Sequence, residues 1–426
     1  MDTTRADHLS CYGYSRVTSP NIDRLAASGA MFRNAYTPVP LTGPAHISLM
    51  TSLFPQEHGA TINGMHMTTH PHPITLAMIL HRLGYKTAAF ISAWPVKKGI
   101  TGLGKGFQTY NQDLTYHYKV VNVARHGNEV GDTSRRWLQS HAHHPFFMWV
   151  HYFDPHHPYE LHAEYSDLPL VPRAVNAQAA KRTPEEAQRI EAYDSEIAFD
   201  DHDLGKTLKL LDDLGVRENT LIVVVADHGE SLGEHGYVGH GDHIYQQIVH
   251  VPMIFSYPKA VPPGIVVQSD ASLVDVMPTI LDLAGFPMTH IGEGQSLKPA
   301  IDHSGAAPQP RPVYFVNYDE PPLLPPRWMS FVWTWAETKR TPTAMGFVQG
   351  ALKVVSYGEN QPPKTFELKD EFSTEEATTA IAATQLAEYG EQIKSWYKET
   401  NRGLKAQGHL SEQDIEGLES LGYVSP

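Results

Sequence analysis

The sequence predicts an α/β fold in which a mainly parallel β-sheet is covered by helices on both faces. Two apolar runs, Phe146–Val150 and Leu221–Val225, have the continuous hydrophobicity of strands that are buried on both faces. The stretch 183–214 has helical periodicity and begins with a Thr-Pro-Glu-Glu start signal. Strands that alternate with helices favour a parallel sheet, and such sheets bind ligands beyond the carboxyl ends of their strands.

The other predicted elements follow from periodicity and from turn residues. They are helices at 20–25, 75–83, 133–141 and 274–283, strands at 86–91 and 251–257, and, beyond a proline-rich stretch at 306–330, strands at 330–335, 347–357 and 365–368 and a helix at 375–398. We therefore expect a main α/β domain over residues 1–305. A smaller subdomain with antiparallel strands and terminal helices is expected over residues 306–426.

Composition excludes several classes of protein. The net charge of -14 argues against a nucleic-acid partner, because the phosphate backbone requires a basic surface. No apolar run reaches about 18 residues, the length that a membrane-spanning helix needs. Cys11 is the only cysteine, so no intrachain disulfide is expected, and no secretory signal is visible. The chain as written is therefore predicted to be cytoplasmic, and a homo-oligomer is left open.

The stretch around Thr42 is the first candidate for chemistry. Gly43 and Pro44 begin a helix whose apolar face includes Ile47 and Met50. Thr42 thus lies at a helix N-terminus, where free N–H groups and the helix dipole favour an anion. A hydroxyl in that position suits a nucleophile that attacks a phosphate or sulfate ester, while the plain alternative is a helix cap.

Polar side chains after the apolar runs predict a metal site. Asp227 and His228 directly follow the second run, and Asp2 is the third candidate ligand. With Thr42 as a fourth ligand the site has three oxygens and one nitrogen, and the metal lowers the pKa of the coordinated hydroxyl. The alternative for Asp227 and His228 is an ordinary polar turn.

A second group of histidines comprises His156, His240 and His243. An imidazole can protonate a leaving oxygen or activate a water, because its ordinary pKa is about 6.5. We expect a role for His156 and His240 and leave His243 open. A second metal near Asp154, His156 and His240 is a further alternative.

These motifs resemble the sulfatase family of the alkaline phosphatase superfamily. The matching segments, in order and spacing, are residues 2–13, 20–25, 42–59, 154–156, 193–205, 227–236 and 275–297. The resemblance implies an alkaline-phosphatase-like three-layer αβα sandwich with a smaller C-terminal antiparallel sheet. It also carries the metal ligands onto Asp2, Asp227 and His228 and the nucleophile onto Thr42.

The chain departs from the family pattern at the residues that carry its chemistry. Typical sulfatases oxidise a Cys or Ser of a Cys-x-Pro-x-Arg pattern to formylglycine, but here Thr42 cannot be oxidised to that aldehyde. His46 stands in place of the arginine, and His240 stands in place of a lysine. Residues 91–94 replace the usual Gly-Lys-Trp-His segment, and Thr3 replaces the second aspartate of the N-terminal pair.

The main hypothesis is a metal-dependent hydrolase of phosphate esters, either diesters or phosphonate monoesters. A phospho-threonine formed on Thr42 is hydrolysed by water attacking phosphorus, as the resemblance to threonine-nucleophile relatives implies. His156 and His240 stabilise charge or protonate the leaving group. Asn63, His46 and His243 are the predicted substrate-binding residues.

Two further hypotheses remain open. One is a formylglycine-independent sulfatase that uses the same residues, and the other is a non-catalytic binding protein with the sulfatase fold. The substrate is expected to be a small-molecule or a glycan- or lipid-linked anionic ester.

Two further expectations concern the metal and the start of the chain. His228 stands where many calcium-dependent sulfatases carry asparagine, which favours Mn²⁺ or Zn²⁺ over Ca²⁺. In this family an apolar strand precedes the first aspartate, whereas only Met1 precedes Asp2 here. The expectation is therefore a sequence truncated at its start, with any targeting signal lost along with that strand.

Overall fold

The computed structural model describes most of the chain. The described residues are 1–67, 73–118, 121–171, 182–286, 291–302, 311–318, 341–358, 361–368, 375–377 and 381–401. The helices are α1 (Pro20–Ala27), α2 (Thr42–Thr51), α3 (Pro55–His58), α4 (Leu76–Arg82), α5 (Lys98–Thr101), α6 (Gly127–His141), α7 (Pro184–Asp213), α8 (Gln246–Val249), α9 (Val276–Leu283), α10 (Lys298–Ile301) and α11 (Ala383–Thr400). The predicted strand at 330–335 and most of the proline-rich stretch lie outside the described residues.

The strands fall into a main domain and a C-terminal sheet. In the main domain they are β1 (Ala30–Tyr36), β2 (Lys86–Phe90), β3 (Thr109–Asn111), β4 (Tyr116–Tyr118), β5 (Val121–Ala124), β6 (Phe146–Val150), β7 (Ile222–Val225), β8 (Ser231–Leu232), β9 (Val238–Gly239), β10 (His250–Ser256), β11 (Ile265–Val267) and β12 (Ala271–Ser272). The C-terminal strands are β13 (Val313–Tyr318), β14 (Pro342–Gln349), β15 (Leu352–Tyr357), β16 (Lys364–Leu368) and β17 (Glu375–Ala377).

The sheets of the main domain are mixed rather than mainly parallel. One sheet has the order β11-β1-β10-β7, with β12 also beside β1, and a parallel sheet has the order β3-β2-β6. Strand β10 is antiparallel to both β1 and β7. The prediction of parallel strands is wrong at β10, because the connection from β7 contains the short strands β8 and β9 and the four-residue helix α8 but no long helix. Without a crossover helix, the chain returns beside β7 in the opposite direction.

The first residues of the chain lie between the two sheets. The backbone nitrogen of Asp2 donates to the carbonyl of Tyr152 at 2.8 Å, and that of Met1 donates to the carbonyl of Val225 at 2.8 Å. Strands β6 and β7 each have one edge without a strand partner among the described residues, and most of their side chains are only partly buried. This differs from the full burial predicted for both runs.

Helices cover both faces of these sheets, as the three-layer prediction requires. Helices α1, α6 and α7 pack together on one face, and α2, α4 and α9 pack on the other. Helix α7 begins at a capping box in which Thr183 accepts from the backbone of Glu186 and the Glu186 side chain accepts from the backbone of Thr183. The fold is therefore the αβα sandwich of the alkaline-phosphatase-like type.

The C-terminal part forms the predicted antiparallel sheet, in the order β13-β14-β15-β16-β17. The helix predicted at 375–398 is wrong at its start, because residues 375–377 pair with β16 as a strand. Helix α11 begins only at Ala383 and packs on β14 and β15. Backbone pairing in the sheet thus overrides the helical periodicity. In the described part of the chain, we find no helix with the length and apolar character to cross a membrane.

Close backbone packing fixes the turn that follows β7. Gly229 donates its N–H to the carbonyl of Ile248 at 2.7 Å. A Cβ atom at Gly229 would lie 2.1 Å from the carbonyl oxygen of Gln247 and 3.3 Å from Cγ of Arg5. Only glycine therefore lets this turn pack against the chain that enters β10.

Alanine at Gly229 is expected to lower the free energy of unfolding by about 1–3 kcal/mol, because overpacking against backbone forces the chain to shift. Chemical denaturation of Gly229→Ala measures this loss. Gly99→Ala is the matched control, because Gly99 is exposed and a Cβ there meets nothing within 4 Å. Its stability should stay within about 0.5 kcal/mol of the wild type. Equal stability of both variants would contradict the packing argument.

Candidate functional site

The ends of β6 and β7 bring three of the predicted ligands together. Asp2 hydrogen-bonds to the chain just after β6, and Asp227 and His228 follow β7. All three side chains are buried, and each offers one ligand atom within 4.8 Å of the others. The arrangement therefore presents two carboxylates and one imidazole to a common point.

Each carboxylate has one oxygen engaged and one without a hydrogen-bond partner. Oδ2 of Asp2 lies 3.0 Å from Nε2 of His151, and Oδ1 of Asp2 is buried without a partner. Oδ1 of Asp227 accepts from the backbone nitrogens of Thr3 at 3.2 Å and His228 at 2.9 Å, whereas its Oδ2 is buried without a hydrogen bond. Unpartnered buried oxygens are costly unless a cation or proton compensates them.

The imidazole of His228 is oriented for ligation. Its Nδ1 lies 3.0 Å from the carbonyl of Gly229, to which it donates, so that Nε2 carries a lone pair. This Nε2 lies 3.4 Å from Oδ2 of Asp227 and 3.3 Å from Oγ1 of Thr42. Burial lowers the pKa of His228 to about 4, which keeps the ring neutral. A neutral imidazole whose second nitrogen binds a backbone carbonyl is typical of metal ligands.

The charges at this point also fit a cation. Burial and the neighbouring carboxylate of Asp227 raise the pKa of Asp2 well above its ordinary value. Burial opposes ionisation of Asp227 too, but the imidazoles of His228 and His46 hold its pKa below the ordinary value. Two adjacent buried carboxylates cannot both ionise without a compensating charge. The donor set of oxygens and one nitrogen therefore fits a divalent metal.

Thr42 is the first residue of α2 and does not act as its cap. Leu41 occupies the N-cap position, and its side chain makes no capping hydrogen bond. The hydroxyl of Thr42 instead faces Nε2 of His228. The backbone nitrogen of Gly43 donates to Oδ1 of the half-buried Asn63 at 2.8 Å, which ties Asn63 to the helix start. The geometry thus speaks against the plain interpretation of Thr42 as a cap.

His46 is buried behind the cluster rather than at an exposed substrate surface. Its Nδ1 lies 2.8 Å from the carbonyl of Thr42, one helical turn earlier, and 3.6 Å from Oδ2 of Asp227. Its ring packs against Trp149 and His151. Burial lowers the pKa of His46, so a neutral ring replaces the charged arginine of the family pattern. The predicted substrate-binding role of His46 stays a prediction.

His156 and His240 lie beside the cluster. The ring of His240 lies 4.3 Å from the ring of His228 and 4.9 Å from that of His156, measured between centroids. Nδ1 of His240 binds Oε1 of the buried Glu230 at 2.8 Å. Burial opposes ionisation of Glu230, but His240 brings its pKa down to about 2. Burial and the neighbouring His240 lower the pKa of His156 to about 4.

Two further predicted residues, His243 and Asp154, make other contacts. His243 packs against the rings of Tyr237 and Tyr245. The carboxylate of Asp154 accepts from the backbone nitrogen of Gly127 at 2.7 Å and binds Nδ1 of His126 at 3.0 Å, at the start of α6. Over the described residues, Asp2, Asp227 and His228 are the only group of three or more potential ligands this close together. The expected second metal near Asp154 therefore has no ligand cluster there.

The backbone at Thr3 is part of the site. Thr3 has a positive φ of 48°, which is unusual for a β-branched residue. Its hydroxyl donates to the carbonyl of Pro155 at 2.6 Å, and its carbonyl accepts from the hydroxyl of Tyr193 at 2.7 Å. These bonds hold the strained conformation and direct its N–H at Asp227.

Sequence reasoning missed two residues of the site, His151 and Glu230. His151 directly follows the apolar run of β6, where its polarity gave no separate signal. Glu230 belongs to the Asp227–Gly236 segment and immediately follows its Asp-His-Gly sequence. An acidic residue in that position was the signal from which it could have been predicted.

The fold and this cluster define a class: ester hydrolases of the alkaline-phosphatase-like fold, with potential metal ligands at the strand ends and a hydroxyl beside them. The family model described as Sulfatase matches residues 1–286. The chain belongs to the sulfatase family and is an enzyme of the ester-hydrolase type.

The known proteins most relevant here act on sulfate and phosphonate esters. The N-acetylglucosamine-6-O-sulfatase of Bacteroides thetaiotaomicron is 26% identical over 411 residues, covering 75% of this chain and 73% of that protein. A solved structure in complex with its substrate D-glucosamine-2-N,6-O-disulfate has a TM-score of 0.65 and 21% identity, and covers 100% of this chain and 97% of that one. The phosphonate monoester hydrolase of Agrobacterium radiobacter has a TM-score of 0.70 and 22% identity, with 94% of each chain covered.

The raised pKa of Asp2 predicts that metal binding strengthens as pH rises. The folded metal-free protein gains stability from protonated Asp2 at low pH and loses it as pH rises, whereas a bound metal stabilises the ionised form. The increase in Tm on adding Mn²⁺ should therefore grow as pH rises through the raised pKa of Asp2. At a metal concentration of about 100 times Kd, stabilisation reaches about 2.7 kcal/mol.

Differential scanning fluorimetry with and without Mn²⁺ checks this prediction. Asp2→Asn is the control, and it should show little increase in Tm at any pH. An increase in the wild type that does not depend on pH would contradict the proposed competition between metal and proton.

Proposed function

We propose that the chain hydrolyses sulfate esters, with sulfated sugars as the substrate class, by a route that does not use formylglycine. The observation that carries the proposal is the hydroxyl of Thr42, which lies 3.3 Å from Nε2 of His228 at the nucleophile position of the family. The names of the related sulfatases favour sulfate over the phosphate esters of the main sequence-based hypothesis. Their sugar substrates are the basis for the proposed substrate class.

The donor set of Asp2, Asp227 and His228 would hold the divalent metal, with the hydroxyl of Thr42 beside it. Such an ion lowers the pKa of an adjacent hydroxyl and neutralises an anionic substrate. The oxygen and imidazole ligands favour Mn²⁺ or Zn²⁺ over Ca²⁺.

The proposed reaction has two displacements at sulfur. Oγ1 of Thr42 attacks the sulfur, the bond between sulfur and the ester oxygen breaks, and the leaving alcohol takes up a proton. Water then attacks the sulfur of the threonine O-sulfate, which releases sulfate and restores the hydroxyl. A hydrated aldehyde can expel sulfate by breaking a bond between carbon and oxygen. Threonine lacks that route, so the attack of water at sulfur takes its place.

In this proposal His156 and His240 move the protons in both steps. Because Glu230 accepts from Nδ1 of His240, the other nitrogen of that ring is the atom available for proton transfer. The ring of His156 lies next to it. One imidazole that donates a proton to the leaving alcohol can accept one from the attacking water afterwards. We assign to Asn63, which binds the start of α2, the contact with a non-bridging oxygen.

Hydrolysis of phosphate or phosphonate esters is the second candidate. Threonine is an established type of nucleophile toward phosphorus in the resembling families, and a phospho-threonine is released by attack of water. The fold is shared with phosphonate monoester hydrolases. A sulfate and a phosphate ester present similar tetrahedral anions, so the same residues serve either substrate.

Replacement of Thr42 by alanine is expected to reduce turnover by about 10³-fold or more, because it removes the nucleophile. The assay compares aryl sulfate, aryl phosphate monoester, aryl phosphate diester and aryl phosphonate with Mn²⁺-loaded protein. Thr42→Ser retains a hydroxyl and should keep a larger share of the activity. Thr51→Ala is the matched control, because Thr51 lies on the same helix and its hydroxyl binds only the carbonyl of Ile47 at 2.7 Å.

The substrate order decides between the two candidates. Aryl sulfate as the best substrate, with activity lost in Thr42→Ala, supports the proposed function. Preference for the phosphate diester or phosphonate moves the assignment to the second candidate. Equal rates in Thr42→Ala and wild type would contradict a nucleophilic role for Thr42 in both.

A further inference from the structure

We propose that His151 is a positioning residue that fixes the carboxylate of Asp2 and thereby sets the metal affinity of the site. The inference rests on the proposed metal site and adds to it a residue that lies outside the ligand set. It follows from the hydrogen bonds on the two nitrogens of the His151 ring.

Hydrogen bonds hold both the backbone and the ring of His151 in place. It is 1% exposed and follows β6 directly, and its backbone nitrogen donates to the carbonyl of Phe90 at 2.9 Å. The backbone nitrogen of Ser92 donates to Nδ1 of His151 at 3.3 Å, and the hydroxyl of Ser92 donates to its carbonyl. Because a backbone N–H can only donate, Nδ1 of His151 is the acceptor and its proton lies on Nε2.

The N–H group at Nε2 determines which oxygen of Asp2 remains without a hydrogen bond. Nε2 of His151 donates to Oδ2 of Asp2 at 3.0 Å. The remaining oxygen, Oδ1, is buried and has no hydrogen-bond partner. Among the described contacts, this is the hydrogen bond that fixes the orientation of the Asp2 carboxylate. His151 thus holds Asp2 in the orientation that leaves Oδ1 to a metal.

The three candidate ligands differ in what supports them. Asp227 is held by the backbone nitrogens of Thr3 and His228, and His228 is held by the carbonyl of Gly229. Among the described contacts, the Asp2 carboxylate is the one held by a side chain, that of His151. A single substitution can therefore remove the support of Asp2 while leaving all three ligands in place.

His151 acts on the metal through Asp2 and is not itself a ligand. The set of potential ligand atoms that lie within 4.8 Å of one another contains Asp2, Asp227 and His228, and His151 is outside it. Loss of a group that orients a ligand typically costs about 10–100-fold in metal affinity, whereas loss of a ligand costs more. The two roles therefore predict different results.

Titration of the metal-free protein with MnCl₂ in a calorimeter tests the proposal without measuring activity. His151→Leu removes the donor and should weaken Mn²⁺ binding by about 10–100-fold. His151→Gln has an amide N–H that reaches about as far as Nε2, and it should restore most of the affinity. His151→Asn has the same amide on a shorter side chain, cannot reach Asp2 and should bind as weakly as the leucine variant.

His250→Leu is the matched control for loss of a buried histidine. His250 is 3% exposed, lies on β10 and binds the carbonyl of Arg33 through Nε2 at 2.8 Å. Its replacement should lower Tm but leave the Mn²⁺ affinity of the folded protein unchanged. The pair His151→Gln and His151→Asn carries the test if the leucine variant does not fold, because the two side chains differ in reach and share their chemistry.

Three results would overturn the inference. Wild-type affinity in a folded His151→Leu or His151→Asn variant would show that the orientation of Asp2 does not need His151. Complete loss of binding in folded His151→Gln would identify His151 as a ligand. Absence of Mn²⁺ and Zn²⁺ binding by the wild type would remove the proposed metal site itself, an outcome distinct from the first two.

Discussion

The site depends on the meeting of two buried carboxylates, those of Asp2 and Asp227. Their segments are far apart in sequence, since Thr3 and Asp227 are 224 residues apart, and hydrogen bonds from Asp2 and Met1 to the ends of β6 and β7 place them together. Each carboxylate leaves one buried oxygen without a partner. The other oxygen of each carboxylate accepts from backbone N–H groups or from the His151 ring. A compensating positive charge is therefore needed at one point, between the two oxygens that have no hydrogen bond.

Histidines stand at this point where the family pattern has an arginine and a lysine. His46 replaces an arginine, and the pKa values of His46 and His228 are lowered by burial. His240 stands in place of a lysine and is paired with the ionised Glu230. The chain as a whole carries a net charge of -14. Attraction of an anionic ester therefore depends on a bound cation far more than it does in a site built with arginine and lysine.

The sequence predicts those parts of the site that stand in a local pattern. Asp227 and His228 follow an apolar run, and Thr42 precedes a helix with a proline start. The predicted end of the strand and the predicted start of the helix are therefore enough to identify these three residues as candidates. His151 could not be predicted because its role depends on the backbone of Ser92 and on Asp2, which are adjacent only in the fold. The same limit applies to the strand direction of β10 and to residues 375–377, where pairing with distant backbone decides the structure. Helical periodicity likewise does not show that every residue of α2, His46 included, is buried.

In the proposed mechanism, Thr42 determines how the sulfate or phosphate group is released from the covalent intermediate. A hydrated aldehyde can expel sulfate by breaking a bond between carbon and oxygen, but an ester of threonine must be cleaved by attack at sulfur or phosphorus. A water molecule must then approach from the side that the leaving alcohol has vacated, where a proton-transfer group is needed twice. The proposed mechanism assigns this role to His240, because its ring lies beside His228, which contacts Thr42, and because Glu230 fixes its orientation. One imidazole held in a fixed orientation can thus protonate the leaving alcohol and afterwards accept a proton from the attacking water. A hydrolase of tetrahedral esters with a threonine nucleophile requires at least one such group.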